Sequence, residues 1–170
     1  SMSAPTFFEP YGDLIDGGVG SFNNPCYQVT VEALHYLQEQ YPEGNVRLLS
    51  FGTGKEVNAL NHGVAKKKTL FFWAPYVIGE GMDDAHDEQT WLVRHEYARR
   101  GSIEFRRYQL GFSPWVMQQL GLSFDTSVLH RLKLDAVKYI EELDEIARAF
   151  AEKIDFQNPE GFSLFEPKPR

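Results

Sequence analysis

Residues Val46 to Phe51 (VRLLSF) form a short, mostly apolar run caught between two turns, Tyr41-Pro42-Glu43-Gly44 and Gly52-Thr53-Gly54. A run of this kind, bounded by chain-bending residues, is the pattern of a strand buried inside a sheet. Asn24 and Pro25 predict a helix start upstream of it. Asn24 would be the N-cap and Pro25 the first helical residue, where its missing N–H costs nothing. Apolar residues then recur at Cys26, Val29, Ala33, Leu34 and Leu37, the spacing of one helix face. Earlier still, Asp13-Leu14-Ile15 predicts a short strand that stops at Gly17-Gly18. Strand, helix and strand over this length predict a βαβ unit with parallel strands. The fold class expected is therefore α/β, with more helix than strand.

The rest of the chain reads more coarsely. Asn58 to Arg100 is mostly helical in pattern, with breaks expected near Pro75 and at Gly79-Glu80-Gly81. Ile103 to Leu110 (IEFRRYQL) predicts a strand, placed at a sheet edge because of its two arginines. Leu132 to Ile154 predicts a long helix whose buried stripe is Val137, Ile140, Leu143, Ala147, Phe150 and Ile154. Residues 158–170 contain Asn158-Pro159 and several more turn formers, and predict an irregular tail. Ser1-Met2 reads as a remnant of tag removal, which leaves 3–157 as one domain.

Composition narrows the function classes. The formal net charge of −7 excludes a broadly basic nucleic-acid surface. One cysteine, Cys26, permits no intrachain disulfide and suits a reducing compartment. The longest apolar run, Thr69 to Gly79, falls short of the roughly 20 residues needed to span a bilayer. The expectation is a cytoplasmic protein or one held peripherally at a membrane.

The chemistry is concentrated in Asp16-Gly17-Gly18-Val19-Gly20-Ser21-Phe22-Asn23-Asn24-Pro25. This is a carboxylate at a strand end, a glycine turn, then polar residues opening a helix. Reactive groups in open α/β sheets gather at that kind of place. Taken alone, Asp16 reads first as a turn aspartate, and Asn23 and Asn24 read as turn and cap residues. A second motif, Leu49-Ser50-Phe51-Gly52-Thr53-Gly54, follows the helix that carries Glu32-Ala33. Together and in this order, the two motifs resemble the C-terminal portion of patatin-like phospholipases. The resemblance is tight over about Tyr11 to Gly54 and loose beyond.

The resemblance implies a serine–aspartate dyad acting on lipid esters, with Asp16 as base and Gly17, Gly18, Asn23, Asn24 and Pro25 as its supporting motif. The serine attacks the ester carbonyl, and the carboxylate takes its proton with no histidine between. Such base catalysis is worth roughly 10²–10⁴ in rate. It implies a C-terminal part of a patatin-like open sheet with helices on its faces, and no cofactor. The nucleophile, however, is missing: no Gly-x-Ser-x-Gly occurs in the sequence. Ser50, Ser113 and Ser123 are incomplete versions, and all lie after Asp16. The expected partners are therefore a serine-bearing N-terminal half or a second copy, together with a lipid ester substrate. The alternative is a non-catalytic, truncated or degenerate module used for binding or assembly.

Other clusters read more blandly. Gly52-Thr53-Gly54 lacks the Walker and dinucleotide patterns and reads as a turn. The five histidines and the acidic group Asp83, Asp84, Asp87 and Glu88 lack metal-ligand spacing. Arg94, Arg99, Arg100, Arg106 and Arg107 read first as surface residues ion-paired with nearby glutamates, the alternative being contact with an anionic lipid head group or partner. Lys66-Lys67-Lys68, next to Phe71, Phe72 and Trp73, reads either as a solvated face or as a peripheral membrane contact.

Overall fold

A computed structural model describes residues 12–13, 24–56, 69–132 and 137–165, with the side chains of 70 and 74–83 left out. The chain is mixed α/β. It forms two compact units, Ser1–Leu48 with Leu60–Phe105, and Leu49–Ala59 with Arg106–Arg170. The single domain expected over 3–157 thus holds two separate buried clusters.

In the first unit, α1 (Cys26–Val31) runs into a π-helical segment, Glu32–Tyr36. The first helical bond is Val29 N–H to the Pro25 carbonyl at 2.9 Å, so Pro25 stands one place earlier than expected, as the cap. Strand β1 (Val46–Phe51) follows. It alternates as a strand must, with Val46 and Leu48 packed toward a small cluster of Cys26, Val93, Ile103 and Phe105. α2 spans Leu70–Leu92 without interruption and continues through π-helical Val93–Tyr97 and the 3₁₀ turn Ala98–Arg100. The expected breaks at Pro75 and Gly79-Glu80-Gly81 do not occur. An interior proline costs about 3 kcal/mol and each glycine about 1, and a continuous helix of 23 residues carries those costs.

The second unit is built on β3, Ile103–Phe112, which starts in the first. The other strands among the described residues all pair with it. β2 (Lys55–Glu56) runs parallel to it at Gly111 and Phe112, and β4 (Gly161–Leu164) runs parallel from Arg107 to Leu110. Bonds from Gly44 N–H to the Ser102 carbonyl and from Gly52 N–H to the Tyr108 carbonyl, both 2.8 Å, bracket β1 and advance in step along β3. That is a parallel arrangement. β3 is accordingly the interior strand of the sheet, and the expected edge placement is corrected. Nearly every residue of it is buried, Arg106 and Arg107 included. The tail is corrected too, since Gly161–Leu164 forms β4 and Phe162 and Leu164 pack on the core. Gly161 has φ +79°, and a Cβ there would meet the Arg107 backbone oxygen at 2.3 Å. Only glycine lets the two backbones approach so closely.

Three helices cover β3 in this unit. They are α3 (Pro114–Leu120), α4 (Thr126–Leu129) and α5 (Ile140–Lys153), the last preceded by a 3₁₀ turn at Val137–Tyr139. α5 starts later than the pattern predicts, and its buried face is shifted. Ile146 and Phe150 are buried, Leu143 is half-buried, while Val137, Ile140 and Ala147 are exposed. Val137 and Ile140 lie in or next to the 3₁₀ turn, whose tighter winding moves side chains off the α-helical stripe, while Ala147 lies mid-helix beside the buried Ile146.

Candidate functional site

Asp16, Gly17, Gly18 and Asn23 lie outside the described residues, as does the strand expected at Leu14-Ile15. Asp13 itself lies in a turn. Asn24 and Pro25 are described. Asn24 is 3% exposed. Its Nδ2 donates to the His86 carbonyl at 3.1 Å and to Thr90 Oγ1 at 3.0 Å, while its Oδ1 accepts from Cys26 N–H at 3.4 Å. One carboxamide thus holds the start of α1 against the second half of α2. A buried side chain that uses both its donor and its acceptor is a fixed point. Next to it Thr30 Oγ1 donates back to the Cys26 carbonyl at 2.8 Å.

The second motif sits at the carboxyl end of β1. Ser50 is buried, and its Oγ accepts from Arg107 Nη1 at 2.7 Å. The Arg107 and Gln109 side chains lie over Gly52, where a Cβ would fall 1.3 Å from Gln109 Oε1. Gly54 has φ +92° and lies against the Phe112 ring. The motif's serine is therefore held by an arginine, and its glycines leave room for side chains from β3. Gln109 Oε1 and the Tyr108 hydroxyl are buried with no hydrogen-bond partner among the described residues. The Tyr108 ring stacks on half-open Phe51 at 5.1 Å and meets Phe156 at 5.6 Å.

Sequence reasoning missed Arg107 and Gln109. The available signal was length: β3 is the longest strand at 10 residues, and a long strand in a parallel sheet is buried on both faces. Ser113 is also settled. It is buried, and its hydroxyl caps α3 by accepting from Val116 N–H at 3.3 Å, which is a structural use. Ser123 is exposed.

A groove of about 510 Å³ opens in the first unit between the π-helical end of α1 and β1. Val29, Ala33, Leu37, Tyr41, Val46 and Leu48 make its apolar lining. Three of the five residues predicted to form the buried stripe of α1 therefore face this groove. The buried Gln28 Oε1 beside it has no partner among the described residues. Of the arginines read as surface pairs, Arg100 does pair with Glu96 at 2.7 Å, and Arg94 lies over the Phe105 ring at 5.9 Å. His35 Nε2 and the Tyr97 hydroxyl stand 3.4 Å apart where the two π-helical segments meet. Burial is the main cause of a raised Tyr97 pKa, with Tyr27 adding to it. No group of three metal-ligating side chains occurs among the described residues, and no helix among them is long and apolar enough to cross a membrane. No protein-family model, curated protein or solved structure matches this chain.

Proposed function

We propose that this chain is the aspartate-bearing portion of a patatin-like lipid acyl hydrolase, with Asp16 as general base. The serine would come from another stretch of polypeptide. One observation carries the reading: Asp16-Gly17-Gly18, Asn23-Asn24-Pro25 and Leu49 to Gly54 occur in that order with a helix between them. Two structural details support it. Helix α1 begins directly after Asn24-Pro25, and Gly52-Thr53-Gly54 leaves the carboxyl end of a strand in a parallel sheet. Sites in such sheets form at that end.

The test is short-chain ester hydrolysis by three proteins: this chain alone, a longer polypeptide carrying a Gly-x-Ser-x-Gly segment ahead of it, and that longer form with Asp16→Asn. The chain alone is expected to be inactive and the longer form active. Asp16→Asn should lower the longer form's activity by about 10²–10⁴. Full activity in the Asp16→Asn protein would remove the dyad. No activity in any of the three would favour a non-catalytic module used for binding or assembly.

A further inference from the structure

We infer that the Tyr97 hydroxyl latches the segment Glu32–Tyr36 in its wide π winding, and that this winding shapes the groove on the helix's other side. The winding is seen in one bond: Leu37 N–H donates to the Glu32 carbonyl, five residues back, at 2.9 Å. The helix that packs beside it does the same, with Ala98 N–H reaching the Val93 carbonyl. Such winding is rare, so two π segments that touch call for a shared cause.

Tyr97 supplies that cause. It is the last residue of the second π segment, and its hydroxyl stands 3.4 Å from His35 Nε2. The same hydroxyl shares a hydrogen bond with Tyr27, whose ring centre lies 6.1 Å from its own. Tyr27 and His35 are eight positions apart on one helix. A regular α-helix would set His35 about 80° around from Tyr27, turned away from a hydroxyl that Tyr27 faces. A π turn takes more residues to close, rotates less at each, and removes that excess. One side chain can then hold both. The opposite face obeys the same arithmetic. Val29 and Leu37 are also eight positions apart, yet with Ala33 they wall one groove of about 510 Å³. Tyr27 and Val29 differ by two positions, which puts about 200° between the latched face and the groove face. The latch therefore acts through the helix. Its release lets Leu37 N–H transfer to the Ala33 carbonyl, and the rewound helix turns Leu37 off the groove wall. None of these residues belongs to the proposed dyad motif, so the device stands independently of it.

Nuclear magnetic resonance of the full chain tests this, because scalar coupling across a hydrogen bond names the acceptor of a given N–H. In the parent, the Leu37 amide nitrogen should couple to the Glu32 carbonyl carbon. In Tyr97→Phe, which keeps the ring, and in His35→Ala, that coupling should vanish and reappear at the Ala33 carbonyl carbon. His35→Gln keeps a hydrogen-bonding group at that position and should retain the Glu32 coupling. The Val29 and Leu37 methyl resonances should shift in Tyr97→Phe, while those of Leu110 and Ile146 in the second unit stay in place and establish that the variant is folded. A Glu32 coupling that survives both Tyr97→Phe and His35→Ala would overturn the latch. So would its loss in His35→Gln as fully as in His35→Ala. Loss without reappearance at Ala33 would overturn the rewinding, and unmoved Leu37 methyls after the transfer would overturn the link to the groove.

Discussion

The two buried clusters are closed to different degrees. In the second unit, Tyr108, Leu110 and Phe112 of β3 meet side chains from three helices, among them Val116, Met117, Leu129, Ile146 and Phe150. In the first unit, Ile103 and Phe105 of the same strand cluster with Cys26 and Val93, the fully buried partners among the described residues. A groove runs beside that smaller cluster, and Val29 at its wall is 46% exposed. Since one strand supplies both clusters, strand sequence is not what separates them. Among the described residues, three helices contribute to the second cluster, and α1 and the continuous α2 helix to the first. An apolar stripe tells which face of a helix avoids water, but only a neighbouring element decides whether that face is covered.

Substitutions can break or sharpen this contrast. The largest effect is expected at the closed cluster, where Ile146 is 1% exposed. Ile146→Ala should cost about 3–4 kcal/mol in urea unfolding, because it deletes methyl groups and leaves a cavity. In the first unit the fixed point is polar. Asn24→Ala removes two donated bonds and one accepted bond, leaving the buried Cys26 N–H and the Thr90 hydroxyl oxygen without their Asn24 partner while the His86 carbonyl keeps the Thr90 hydroxyl at 3.3 Å, and should cost about 1–3 kcal/mol. The groove wall should respond less still: Val29→Ser is expected to change stability by no more than about 0.5 kcal/mol. If Val29→Ser proved as costly as Ile146→Ala, the difference between the two clusters would vanish.

The smallest effect concerns acid. Asp125 caps α4, and hydrogen bonds from Ser127 hold its carboxyl below the usual carboxylate value. A depressed folded pKa means stability that is present above the unfolded carboxylate pKa and lost as pH falls through the folded one. Asp125→Ala should therefore lower stability slightly at neutral pH, leave it nearly unchanged at the acid end, and so flatten the acid limb of a stability–pH curve. An acid limb that keeps its slope would show that other carboxylates set it.

Much of the fold was readable where local pattern and tertiary role agree. β1 is such a case, a run between turns with one alternating face, and so is the helix start at Asn24-Pro25. Reading failed where polar residues are buried. Arg106 and Arg107 resemble surface residues, yet both lie in the interior strand, with Arg107 bonded to Ser50 and Arg106 donating to the Phe156 carbonyl. A sequence lists charges but not the acceptors that make their burial tolerable. The tail misled for a related reason. Gly161 looks like a turn former, whereas its role is to let two backbones touch. Of the candidate site, the motif order was visible from the sequence, but the arginine that holds the motif's serine comes from a strand 57 positions away, too far for any local pattern to reveal.

That backbone contact at Gly161 has a consequence for quality control of the chain. β4 is paired along β3 from Arg107 to Leu110, so any polypeptide cut ahead of Gly161 bares amide and carbonyl groups on the buried interior strand of the sheet. Such an edge is a template for adding strands from other molecules. Proteolytic nicking within residues 155–160 should therefore produce material that clumps instead of a shorter soluble form.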